Sequence, residues 1–162
     1  MAVDYFLKID GIEGESQDAK HKGEIDVLSW GFGATQSETT HNGGGGGVGK
    51  VNIQDLHFES HISKAGPKLF LACAEGDHIK QAILTARKAS GQQQEYYKIT
   101  ISDLLVSSCQ TGTSSKNEII SPIDQVSLSF SKIDILYREQ KPDGTLGPPT
   151  EIKYDLKLHK QF

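Results

Sequence analysis

Gly44, Gly49 and Lys50 are the first residues that invite chemistry, since a glycine, four intervening residues and Gly-Lys begin a phosphate-binding loop. Such a loop next needs a Ser or Thr for Mg²⁺ and a helix whose first amides face the phosphates. Val51-Asn52-Ile53-Gln54 follows instead and reads as a strand, so both requirements fail. His57, Glu59 and His61 form a second candidate set. Histidines four apart make a zinc pair on a helix, but this stretch sits among strand patterns, where alternate residues line one solvated polar face. His21, His41, His78 and His159 are dispersed and share no ligand spacing. Cys73 and Cys109 show neither metal-ligand spacing nor a Cys-x-x-Cys redox motif, and read as reduced, partly buried thiols. No Gly-x-Ser-x-Gly elbow is present, and neither cysteine has a nearby histidine pattern to activate it. No catalytic, metal or cofactor site emerges, which favours a structural or binding protein over an enzyme.

The elements that carry these residues are mostly strands. Val3, Tyr5, Leu7 and Ile9 alternate with Asp4, Phe6, Lys8 and Asp10, which predicts a half-buried strand. From Glu24 to Gln36 the apolar phase changes between Val27 and Leu28, so a bulge sits there or both faces are covered. A second change, between Ile53 and Leu56, predicts a bend or bulge near Gln54 and Asp55. One helix follows, with Pro67 suited to its first turn, an apolar face of Leu69, Phe70, Ala72, Cys73 and Ala74, and Gly76 placed to end it. Strand patterns resume over Ile79 to Lys88, Glu95 to Ser107, Gln125 to Tyr137 and Glu151 to His159. Ser90-Gly91, Thr111 to Ser115 and Pro142-Asp143-Gly144 read as the turns between them. In the third of these runs Val126, Leu128 and Phe130 give way to Ile133, Ile135 and Tyr137, a change of face that fits a small closed barrel or two sheets sharing bent strands.

Composition bounds what such a fold can do. A chain of 162 residues fits one domain spanning 1-162, and neither a repeat nor a second domain is visible. Seventeen Lys and Arg against 21 Asp and Glu leave a net charge of -4, so no global basic field exists to hold nucleic acid or anionic lipid. The first residues carry neither a basic region nor an apolar stretch of signal-peptide length, which predicts a chain that begins life in the cytoplasm and is not inserted in a membrane.

Five consecutive glycines, Gly43 to Gly47, lie within the segment Glu38 to Gly49. They cost folding entropy and contribute no side-chain packing. Either the segment is a flexible hairpin tip, or it is a loop that lies flat against another backbone and orders on assembly.

Taken together, Ala2 to Gly14, Ile25-Asp26-Val27-Leu28-Ser29-Trp30-Gly31-Phe32-Gly33 and Gly43 to Asp55 resemble the Hcp family, the haemolysin-coregulated tube proteins of bacterial type VI secretion. Pro67-Lys68-Leu69, Cys73-Ala74-Glu75-Gly76, Leu104 to Ser108, Ser127 to Ser131 and Tyr137 extend the likeness over essentially the whole chain. The resemblance implies a mainly β fold, two antiparallel sheets forming a small β-barrel with one flanking helix. It implies a homohexameric ring, and rings stacked into a hollow tube that a contractile sheath expels under a VgrG-family spike. It also implies effector proteins in the lumen, and secretion without a cleaved signal peptide. Thr39, Thr40, His41, Asn42, Gly43, Gly44, Gly45, Gly46, Gly47 and Gly49 are then the candidate ring-stacking loop. Ser29, Trp30, Gly31 and Phe32 are candidates for the lumen wall or an interface, with Trp30 open between a core position and one that touches cargo. Gly31 departs from the small polar residue of related chains, which leaves cargo preference at that wall open. The chain stops at Phe162 soon after its last strand, so no fused toxin domain is expected. A monomeric β-barrel that binds a small ligand is the alternative, and an enzyme using a carboxylate or His57 and His61 with a metal is a third reading.

Overall fold

The computed structural model describes residues 2–38, 48–89, 91–116 and 119–162. Among these residues ten strands and one helix follow in the order β1 (Val3–Ile9), β2 (Ile25–Gly31), β3 (Ala34–Glu38), β4 (Val48–Ile53), β5 (Leu56–His61), α1 (Ala65–Glu75), β6 (Ile79–Lys88), β7 (Glu95–Lys116), β8 (Ile119–Gln140), β9 (Leu146–Asp155) and β10 (Lys160–Gln161). Six of them, β8-β5-β2-β1-β6-β7, close on themselves through the β7–β8 pairing, and β9 and β10 extend from β8. All the pairings are antiparallel. Closure buries the edges that a small all-β chain must otherwise hide. β3 and β4 stand apart as a two-stranded sheet.

Both predicted phase changes have structural causes. In β2 the register against β5 shifts between Val27 and Ser29, a bulge that moves Val27 inward and leaves Leu28 exposed. Between Ile53 and Leu56 the chain leaves the small sheet and rejoins the barrel, and the Gln54 amide donates to the Gly33 carbonyl at 2.8 Å to close the base of the arm. The long strands turn over together: Ile99 and Ile101 are buried before Asp103 and Leu104 and Val106 after it, while Phe130 and Ile133 flank the change in β8. Asp103 has φ +51, a twist that exchanges the two faces.

The barrel interior is filled. Leu7, Leu56, Phe58, Leu84, Ile99, Leu104 and Leu128 form one buried cluster, closed at α1 by Ala65, Leu69 and Ala72. α1 begins where expected, with Pro67 in its first turn, and ends at Gly76 with φ +65, whose amide donates to the Ala72 carbonyl.

Two of the differences from the expected strand boundaries have a clear cause. Thr111 to Ser115 is no turn but the continuation of β7, because β8 supplies a partner for each residue as far as Lys116 opposite Ile119. β9, expected over Glu151 to His159, starts earlier, at Leu146, and stops at Asp155, whose Oδ1 accepts from the Lys157 and Leu158 amides at 2.9 and 3.0 Å and turns the chain before β10.

Phe6 shows a third difference. Alternation put it on the polar face of β1, and it does point away from the barrel, yet it is only 4% exposed. Residues 10–24 fold over it as a strap. The His21 ring stacks on Phe6 at 4.3 Å, and the Arg87 guanidinium lies 4.8 Å from the same ring. Arg87, 2% exposed, is held by Asp18 at 2.6 and 2.9 Å and by Asp4 at 3.3 Å. His21 bridges Glu24 and Glu95, each 2.8 Å away. The strap therefore covers a charged cluster and an aromatic ring that no periodicity could place there.

Candidate functional site

Ser29, Trp30, Gly31 and Phe32 do not share a face. Ser29 is exposed and its Oγ donates to Glu59 Oε2 at 3.1 Å, while Gln125 Nε2 donates to Glu59 Oε1 at 3.0 Å. Register makes this a row across four strands: Ser29 opposite Glu59, Glu59 opposite Gln125, Gln125 opposite Gln110. The row beside it runs Gly31, His57, Ser127, Ser108. Together they form a polar, outward-facing wall containing an open groove of about 320 Å³. Gly31 matters to its shape, since a Cβ there would meet the His57 ring at 2.9 Å.

Trp30 and Phe32 are only partly buried and pack against the core cluster from the other side. Trp30 stacks on Tyr97 at 5.8 Å and on Phe32 at 6.5 Å, and meets Tyr5 edge-on at 6.0 Å. Tyr97 in turn meets Tyr137 at 6.4 Å, and burial pushes the Tyr97 phenol above its ordinary range. The aromatic layer stiffens the sheet that presents Ser29 and Gly31.

Thr39 to Gly47 fall outside the described residues, and Gly49 lies in β4. The flanking strands are described: β3 and β4 pair from Ala34 opposite Ile53 to Glu38 opposite Val48. The glycine segment thus connects two strands that form a sheet of their own.

The other candidates remain scattered. His61 Nδ1 sits 3.3 Å from Ser121 Oγ, and His57 faces Gly31. His78 approaches Asp103 at 3.5 Å. Among the described residues no group of three or more His, Cys, Asp or Glu side chains is arranged to hold a metal, and no helix is long and apolar enough to cross a membrane.

Residues 6–137 match the family described as "Type VI secretion system effector, Hcp". The chain belongs to the Hcp family. It is 45% identical to "Protein hcp1" of Pseudomonas aeruginosa over 163 aligned positions, covering 99% of each chain. The Hcp1 crystal structure from Salmonella typhimurium is 44% identical and covers 100% of both chains with a TM-score of 0.83. A type VI secretion system effector from Yersinia pestis is 34% identical, with a TM-score of 0.75 over 94% of this chain and 99% of that one. As an Hcp-family chain it is a type VI secretion protein built on a β-barrel. Sequence reasoning placed Glu59 with His57 on a polar strand face but missed Gln125, Ser108 and Gln110 as members of the wall, because their pairing partners are distant in the chain.

Proposed function

We propose that six copies of this chain close into a ring and that rings stack into a hollow tube, driven out of the cell by a contractile sheath beneath a VgrG-family spike. The wall of Ser29, Gly31, His57 and Glu59 faces the lumen and touches effector cargo, with Trp30 and Phe32 bracing it from behind. The β3–β4 arm and its loop, Thr39 to Gly47 with Gly49, make the axial contact. The role is structural, without catalysis, cofactor or nucleic acid, and the chain leaves the cytoplasm through the type VI system with no cleaved signal peptide.

The arm is the observation that carries this reading. A two-stranded hairpin is marginal in water by itself, and this one forms a sheet separate from the barrel. In the proposed tube a contact with a neighbouring copy adds to the hairpin's support. A ring needs a heterologous interface whose rotation closes, and a second such contact along the axis gives a tube. Exposed Leu28, Ile62, Phe70, Leu71 and Ile120 offer further apolar surface for such contacts.

Negative-stain microscopy with native mass measurement tests the reading. Rings of six with a central hole are expected at micromolar concentration. A species of one chain mass at every concentration would sink it.

A further inference from the structure

We propose that Cys73 and Cys109 form a redox-responsive pair, reduced in this structure, that closes to a disulfide and pins α1 to β7. Both are free and half-buried, and both pack against the same core cluster. Two anchors set the register of the helix over the strand. At its start, Gly66 lies against Asp124, close enough that a Cβ would meet Asp124 Oδ2 at 2.8 Å. Asp124 stands opposite Thr111 of β7, and Thr111 Oγ1 donates to its Oδ1 at 2.6 Å. Past its end, His78 approaches Asp103 of β7 at 3.5 Å. α1 therefore runs antiparallel to β7, from the level of Thr111 towards that of Asp103.

Gly66 and Cys73 are two turns apart on one stripe of the helix, a rise of roughly 10 Å. Cys109 lies two residues from Thr111 on the same face of β7, roughly 7 Å along the strand. It shares that face with Val126, which is directly opposite it and buried. These rises bring the two cysteines to within roughly 3 Å of the same level along the helix–strand contact, beside the buried Ala65, Leu69 and Ala72 of the helix. Burial, Asp124 and the Cys73 sulfur each push the Cys109 thiol above its ordinary range, which is consistent with two neighbouring sulfurs.

The chemistry is thiol–disulfide exchange with a low-molecular-mass disulfide such as oxidised glutathione. The thiolate of one cysteine attacks the glutathione disulfide and expels one glutathione thiolate; the second cysteine, deprotonated, attacks the mixed disulfide and expels the other. Two protein thiols are oxidised, one glutathione disulfide is reduced to two glutathione thiols, and their protons pass from the protein. Cytosolic glutathione holds the pair reduced, and an oxidising exterior closes it. This cellular setting rests on the export reading above, but the bond itself requires neither rings nor secretion.

The test incubates the purified, fully reduced chain with oxidised glutathione and reads intact mass and non-reducing peptide maps. The expected product is a single chain lighter by two hydrogens, with the Cys73 and Cys109 peptides linked and both titratable thiols lost. Hydrogen exchange of the α1 amides should slow about tenfold or more. In Cys73→Ser and in Cys109→Val the intramolecular product and the slowing should both vanish. Stable glutathione adducts on both cysteines without linkage, chain-to-chain disulfides, or a chain left reduced would each overturn the proposal.

Discussion

Asp18, itself partly buried, holds the least exposed cation among the described residues. The hydrogen bond from Arg87 is the main cause that keeps its carboxyl far below the ordinary range, helped by the Lys20 amide. The same bond raises Arg87. A carboxyl lowered in the folded state stabilises fully above its unfolded value, near pH 4, and that contribution fades as pH falls towards the folded value. Asp18→Asn should therefore lower Tm by a constant amount above about pH 5, with the gap to the parent narrowing below about pH 4. Thermal unfolding from pH 7 to pH 2 measures it. A gap that stays the same throughout would mean that the Arg87 pairing does not titrate as described.

At the scale of the element, the strap depends on one close approach. Gly14 donates to the Gly23 carbonyl at 2.8 Å, and a Cβ on it would sit 2.5 Å from the Glu24 carbonyl oxygen. Backbone cannot yield there as a flexible side chain could. Gly14→Ala should cost about 1–3 kcal/mol, loosening residues 10–24 and exposing Phe6 while leaving the barrel ladders intact. Denaturant unfolding gives the cost, and hydrogen exchange locates the loosening. A loss of less than about 0.5 kcal/mol would show that the strap can shift to accept a side chain. The helix is supported differently: its N-cap residue Lys64 makes no side-chain cap, but Ser63 Oγ accepts from the Ala65 amide at 3.2 Å, and the carboxylate of Asp124 from β8 lies at its N-terminus, where negative charge is favourable.

For the whole molecule, the proposed assembly separates the barrel from the arm energetically. Five glycines bury almost no apolar area, and loop closure depends weakly on length. Changing Gly44, Gly45 and Gly46 to Val should leave the barrel folded and the hexamer intact by native mass, while tube formation and secretion fall. Valine restricts the backbone where glycine is free, so the axial contact is the part that suffers. A triple variant that stacks and is secreted as well as the parent would remove the loop from ring stacking.

Local pattern by itself determined a good deal. β1, β6 and α1 were legible as elements, and the changes of phase at Val27 and around Ser131 marked a real bulge and a real turnover, but Phe70 and Ala74, expected on the apolar face of α1, are exposed, and Leu84 to Lys88 of β6 are all buried. The polar character of the face carrying Ser29 and His57 was equally readable. Tertiary structure alone decided what lay across the chain. Thr111 to Ser115 is rich in turn-forming residues, yet a ladder of partners from β8 makes it strand. Phe6 and Arg87 are buried because a strap closes over them, and the wall unites Ser29, Glu59, Gln125 and Gln110 because barrel closure aligns their registers. Periodicity records the local direction of burial, whereas pairing across dozens of residues depends on which closure buries the most apolar surface and satisfies the most backbone groups, a property of the folded chain as a whole.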